Sequence, residues 1–195
     1  GSRNGTDGCL QGSIGAVHIY DRALSDAEVL SNYAIYSNRY ILGVVTSGLL
    51  LYIDPNNLQS YPGSGTLLYN LVGTSYNGVM SNGASFGTDF TGGYIATDGT
   101  NDFVKFPLTR YTVPYTVFVF ARILSNGRLI SDDSNFIMGS WMGTQNVYHP
   151  HNWVWNSGGP FGNGWRSHCV TGDFANDNWK VYANGVKLAE NNGGY

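Results

Sequence analysis

Residues 115–123, YTVFVFARI, carry the clearest pattern in the chain. Val117, Val119, Ala121 and Ile123 fall on one side of a period-two alternation, and Phe118 and Phe120 fall on the other. That period is the mark of a strand, and apolar side chains on both sides predict one that is covered on both faces. Residues 14–20, IGAVHIY, alternate differently, with Val17 and Ile19 on one face and His18 and Tyr20 on the other. They predict a half-buried strand. The run 49–53, LLLYI, predicts a further strand stopped by Asp54-Pro55. Shorter strands are expected around 67–72, 78–80, 93–97, 102–106, 128–131, 135–139, 167–173, 179–183 and 186–189. On the strand 179–183, Trp179, Val181 and Ala183 should point inward and Lys180 and Tyr182 outward. Asn82-Gly83 and Asp98-Gly99 are turn dipeptides, and Asn184-Gly185 predicts a two-residue type I′ hairpin.

One stretch changes period. In DRALSDAEVLSNYAIY, Ser25 and Glu28 have the spacing of a capping box. Ala27, Leu30, Tyr33 and Ala34 then recur at helical spacing. These positions predict one amphipathic helix near 26–36, with that set as its apolar face. Many short strands, frequent turns and a single helix give an all-β fold, an antiparallel sandwich.

Composition agrees with this class. The chain has 195 residues, enough for one domain with a sizeable core. Hydrophobic residues make up 42% and charged residues only 12%, and Gly occurs 27 times, which suits strands joined by tight turns. The net charge of −3 with scattered basic residues argues against nucleic-acid binding. No apolar run is long enough to predict a membrane-spanning helix. Cys9 and Cys169 are expected as reduced thiols, one of them in the core, and a long-range disulfide would require export.

The chemistry of catalysis is thinly represented. The chain has two Glu, Glu28 in the capping box and Glu190 beside a Gly-rich end, so a pair of carboxyl groups for glycoside hydrolysis is not evident. Asp132 and Asp133 are adjacent and would point to opposite faces of a strand. There is no nucleophile elbow, dinucleotide loop or phosphate loop. His149-Pro-His151 lacks a second ligand pair at a metal-site spacing. The expectation is a protein that binds or is displayed, without catalysis.

Residues 141–165 offer a sugar-binding composition: Trp141, Tyr148, Trp153, Trp155, Phe161 and Trp165, with Asn146, Asn152 and Asn156. Aromatic faces beside amides suit carbohydrate, and Trp141, Tyr148, Trp153, Trp155, Asn152 and Asn156 are the candidate platform. The same rings would equally serve core packing or a protein contact.

Four segments resemble laminin-G-like domains of the concanavalin-A-like, jelly-roll class. They are GLLLYIDPNNLQSYPGSGTLLYNL (48–71), TDGTNDFVKF (97–106), YTVFVFARI (115–123) and WRSHCVTGDFANDNWKVYANGVKL (165–188), in the family's order. GSIGAVHIYDRALSDAEVLSNYAIYSNRY (12–40) resembles the family's closing strand and helix, yet it comes first. The resemblance therefore implies that 1–43 is the closing strand and helix of such a domain, either from a preceding repeat or as a permuted strand. It implies that 44–195 is a sandwich lacking its own last strand. It also raises a calcium site, for which Asp98, Asn101 and Asp102 supply hard oxygen ligands; a self-bonded turn is the alternative. The wording SYPGSG and DGTNDFV is similar to domains of tailed-phage virion proteins and of bacterial surface proteins. That implies a fibre or capsid-decoration module on a virion surface, with other virion proteins, copies of itself or surface glycans as partners. A secreted or cell-surface lectin or adhesin is the alternative.

Overall fold

The computed structural model describes residues 10–37, 44–108, 114–132, 136–141, 144–149, 154, 163–173, 175–176 and 178–191, with the backbone alone for 34–37, 141 and 144–147. In chain order the elements are β1 (Gln11–Tyr20), α1 (Asp26–Ser37), β2 (Leu49–Ile53), β3 (Leu67–Leu68), β4 (Gly78–Ser81), β5 (Ser85–Asp89), β6 (Gly92–Asp98), β7 (Phe103–Lys105), β8 (Tyr115–Ile123), β9 (Arg128–Ser131), β10 (Ile137–Trp141), β11 (Thr144–His149), β12 (Arg166–Asp173), β13 (Asn178–Ala183) and β14 (Val186–Asn191). Among the described residues every pairing is antiparallel. The large sheet has eight strands, ordered β14-β13-β12-β8-β1-β6-β5, with β2 also paired to β1. Two three-stranded sheets, β11-β10-β9 and β3-β4-β7, accompany it.

Strand β1 is the keystone of the large sheet. One edge pairs with β8 from Gly12 to Tyr20. The other edge is shared: Gln11–Ile14 pair with β6 and Val17–Tyr20 with β2. The N-terminal strand thus lies in the interior of the sheet formed by the rest of the chain, and Val17 and Ile19 belong to the same core as Val117, Val170 and Val181.

The inner face of the large sheet carries Val17, Ile19, Ile95, Val117, Val119, Val170, Trp179 and Val181, and the small sheets meet it with Leu68, Met80, Leu129 and Met138. This buried layer makes the molecule an antiparallel β-sandwich with one short helix. An apolar cavity of about 30 Å³ remains between Val17, Ile53, Ile95, Leu68 and Phe106, room for little more than a water and without a polar group to hold one.

The outer face departs from expectation. The strand 14–20 was expected to be half-buried, yet residues 16–20 are buried throughout. The reason is a second layer: Tyr20, Phe118, Cys169 and Tyr182 pack under Leu24 and Val29, which enter and form helix α1. Tyr182 does point outward from β13, as alternation requires, but its hydroxyl donates to Asp26 Oδ1 at 2.9 Å beneath the helix. The helix begins as its capping box predicts. Ser25 N donates to Glu28 Oε2 at 2.9 Å, and Glu28 N to Ser25 Oγ at 3.4 Å. Its buried face is not the expected one, however. Ala27 and Leu30 are exposed, whereas Val29 and Asn32 are fully buried. A polar residue defines this face: Asn32 Nδ2 donates to Tyr20 Oη at 2.9 Å, and Asn32 Oδ1 accepts from Val45 N at 3.3 Å. A buried amide with both ends satisfied is tolerated, and apolar periodicity cannot reveal it.

Turn chemistry follows the sequence. Asn184 and Gly185 have φ of 49° and 74°, both positive as a type I′ turn demands. Strand β5, SFGTD, was not anticipated; it pairs with β6 around a turn at Phe90-Thr91 and has neither strong alternation nor apolar density.

Candidate functional site

Because α1 covers only one end of the outer face, the other end of the same strands exposes different side chains. On β8, Phe118 lies under the helix layer, and Phe120 and Arg122 continue the same face beyond it. Trp165, just before β12, stacks on Phe120 with ring centroids 5.2 Å apart and planes 12° from parallel. Tyr94 of β6 meets Trp165 edge-on at 5.6 Å. The Arg122 guanidinium carbon lies 5.5 Å from the Trp165 ring centre and 5.8 Å from that of Tyr94. These are cation–π distances. Trp165, Tyr94, Arg122 and Asp89 are all partly exposed.

The geometry is fixed from below. A Cβ at Gly15 would stand 2.9 Å from the Phe120 ring and 3.2 Å from the Trp165 ring, so glycine at the β1 bulge leaves the floor on which the indole lies. Asp89 fixes the ring from the side. Its Oδ2 accepts the Trp165 indole N–H at 2.9 Å, and its Oδ1 accepts from Thr91 N and Oγ1 at 2.7 and 2.6 Å. Those hydrogen bonds hold the Asp89 carboxyl below the usual carboxylate range against the opposing effect of burial.

The platform expected from 141–165 is placed differently. Tyr148 is fully buried and shares a 2.9 Å hydrogen bond with His168 Nδ1, so its ring belongs to the core and is out of reach of a surface ligand. A strand residue pointing into a sandwich is buried whatever its affinity for sugars. Trp141 is placed in β10 by its backbone. Trp153, Trp155, Asn152, Asn156 and Phe161 lie outside the described residues. Trp165 is the one ring of that group that the structure places, half-exposed, on an outer face. Tyr94, Arg122 and Asp89 were missed because they come from strands distant in sequence. The available signal was Arg122 closing the Phe118-Phe120 face of β8.

At the candidate calcium site the oxygens bond the turn itself. Asp98 Oδ1 accepts from Thr100 N at 2.8 Å, Asp102 Oδ2 from Asp98 N at 3.1 Å, and the Asn101 carbonyl from Asn82 Nδ2 at 3.0 Å. Backbone amides hold the Asp98 carboxyl low, and burial pushes that of Asp102 up. Asp102 Oδ1 is buried without a hydrogen-bond partner, but it faces Gly83, where a Cβ would sit 2.9 Å away. Calcium needs six to eight converging oxygens, whereas Asp98 Oδ1, Asp102 Oδ2 and the Asn101 carbonyl are engaged by amide donors of the turn and of Asn82. Among the described residues no group of three or more His, Cys, Asp or Glu side chains is placed to hold a metal.

Other reactive side chains are paired or buried. Glu28 makes a two-point pair with Arg22 at 2.7 and 3.0 Å, which with the Ser25 amide pulls its carboxyl down to about 2. Glu190 pairs with Lys187 at 2.7 Å, and Asp132 accepts from the Phe136 amide. His18 and His168 are wholly buried, which depresses them to about 3 and about 4. Cys169 is a buried free thiol whose pKa burial pushes up, and Cys9 lies outside the described residues.

No protein-family model, curated protein or solved structure matches the chain. The Trp165 platform therefore stands on its geometry alone.

Proposed function

We propose that the protein is a non-catalytic binding and display module that contacts carbohydrate through the Trp165 platform. The observation that carries this reading is the indole of Trp165, held flat on Phe120 by the Asp89 hydrogen bond and flanked by Tyr94 and Arg122. A sugar presents an apolar C–H face that packs on an aromatic ring and hydroxyl groups that bond charged neighbours. A half-exposed ring with a guanidinium and a carboxylate at its rim meets both needs. The fixed ring also lowers the ordering cost of binding. The absence of catalysis is supported by the employment of Glu28 and Glu190 in ion pairs and by the burial of His18 and His168.

The setting supported by the sequence resemblance is the surface of a phage virion, as a fibre or capsid-decoration domain. Its neighbours there are other virion proteins or further copies of the chain. The same platform would serve a secreted or bacterial cell-surface lectin or adhesin, and the full gene product, with or without tail or capsid segments, separates the two settings.

A glycan microarray probed with the protein and with Trp165→Ala tests the reading. The expected result is a set of bound glycans lost in the variant while its circular dichroism remains that of a β-protein. An array without binding, or binding undiminished in Trp165→Ala, overturns it.

A further inference from the structure

We propose that the ligand of the Trp165 platform is a glycan bearing a carboxylate, such as one containing a uronic acid, and that Arg122 receives that group. This rests on the carbohydrate reading above and deepens it.

Arg122 is an unusual arginine for a sheet surface. It lies against the rings of Trp165 and Tyr94, its Nε is buried without a hydrogen-bond partner, and its Nη1 meets Asp89 only as a 3.8 Å ion pair. A guanidinium carries five donors in a rigid fork. The nearest anion is Asp89, whose Oδ2 stands 3.8 Å from Nη1, beyond hydrogen-bond length. Asp89 cannot readily close that gap. Its Oδ1 is occupied by both donors of Thr91, and its Oδ2 by the indole N–H, which lies 2.9 Å away. Moving the carboxylate toward Arg122 would release the ring that it holds. Asp89 is thus a positioning residue for Trp165 and leaves the guanidinium with unspent donors.

The side chain of Arg122 is 27% exposed, so part of the fork reaches solvent, although Nε is buried. The two terminal nitrogens are the ones that a ligand can meet. A planar carboxylate matches such a pair end-on with two parallel hydrogen bonds, and each is a charge-assisted bond. A neutral hydroxyl would engage only one nitrogen at a time and without opposite charge. A carboxylated pyranose fits both features: its C–H face lies on the indole while an equatorial carboxylate extends over the rim to Arg122.

Matched oligosaccharides separate this inference from the reading beneath it. A uronic-acid oligosaccharide and its carboxyl-reduced, neutral counterpart are titrated calorimetrically into the wild-type protein, Arg122→Gln and Arg122→Lys. The expected outcome is a preference of roughly tenfold or more for the carboxylated glycan. It should weaken with added salt, vanish in Arg122→Gln and return only in part in Arg122→Lys, whose ammonium lacks the fork. Reduction of the ligand provides the comparison even if an Arg122 variant folds poorly. Equal affinity for both glycans in the wild type overturns the carboxylate inference and leaves carbohydrate binding standing. No binding of either glycan overturns the carboxylate inference, and an array without any binding overturns the carbohydrate reading with it.

Discussion

His18 and His168 carry no charge in the folded protein, and this sets its response to acid. His18 stacks on Phe118 with ring centroids 5.3 Å apart, and His168 shares its hydrogen bond with Tyr148. Burial lowers them from 6.5 to about 3 and about 4. In the unfolded chain each takes up a proton near pH 6.5, whereas the folded protein refuses it until far lower pH. The unfolded state therefore binds more protons between those limits, and stability falls as pH falls from 6.5 towards 4. Glu28 acts in a lower window. Its folded value of about 2 lies below the ordinary 4.5, so its contribution is present above 4.5 and is lost as pH falls towards 2. Urea denaturation should show a lower midpoint at pH 4.5 than at pH 7, with His18→Phe flattening the difference; a midpoint independent of pH across that range would contradict the burial of these rings. The Asp98–Asp102 turn gives a second expectation at this scale. Asp98 Oδ1 and Asp102 Oδ2 accept from backbone amides of the turn, so millimolar calcium should leave the melting temperature unchanged, and a rise of several degrees would show a site that the turn geometry does not predict.

At the scale of elements, the legible features were those with local causes. The capping box at Ser25 and Glu28, the Asn184-Gly185 turn and the bounds of β2, β8 and β9 follow from patterns within a few residues. The buried face of α1 did not, because it is chosen by Asn32 reaching Tyr20, a partner from another strand. Strand β5 escaped for the same reason, since its identity comes from pairing with β6. The candidate site was less legible still. Trp165 was visible as one aromatic among many, but Tyr94, Arg122 and Asp89 join it only through the order of strands. Two substitutions test these elements. Ser25→Ala removes the helix cap and a partner of Glu28, and should cost about 1 kcal/mol in urea denaturation. Gly15→Ala places a methyl group against the Phe120 and Trp165 rings. It should shift the Trp165 fluorescence and weaken glycan binding although residue 15 touches no ligand. Unchanged binding in a folded Gly15→Ala protein would contradict the claim that the β1 bulge seats the indole.

For the whole molecule, the position of β1 determines how the protein unfolds. Its ladders to β8 on one edge and to β2 and β6 on the other join the two halves of the large sheet. Its inner side chains share one core with the remaining strands. Residues 10–20 should therefore exchange their amide hydrogens as slowly as 115–123, with both sets opening in the global transition. Exchange of β1 well ahead of β8 would mark the N-terminal strand and helix as a separate unit docked on the sandwich. The same long-range architecture gives the outer face its two unlike ends, one sealed by α1 over Phe118 and Tyr182, the other carrying the partly exposed Trp165. The most direct test of the proposed function is the indole N–H resonance of Trp165 in a nitrogen-15-labelled protein titrated with an array-positive glycan. A saturable shift of that resonance is expected, with the resonance of the fully buried Trp179 unmoved; saturable binding that leaves Trp165 unshifted would contradict the platform.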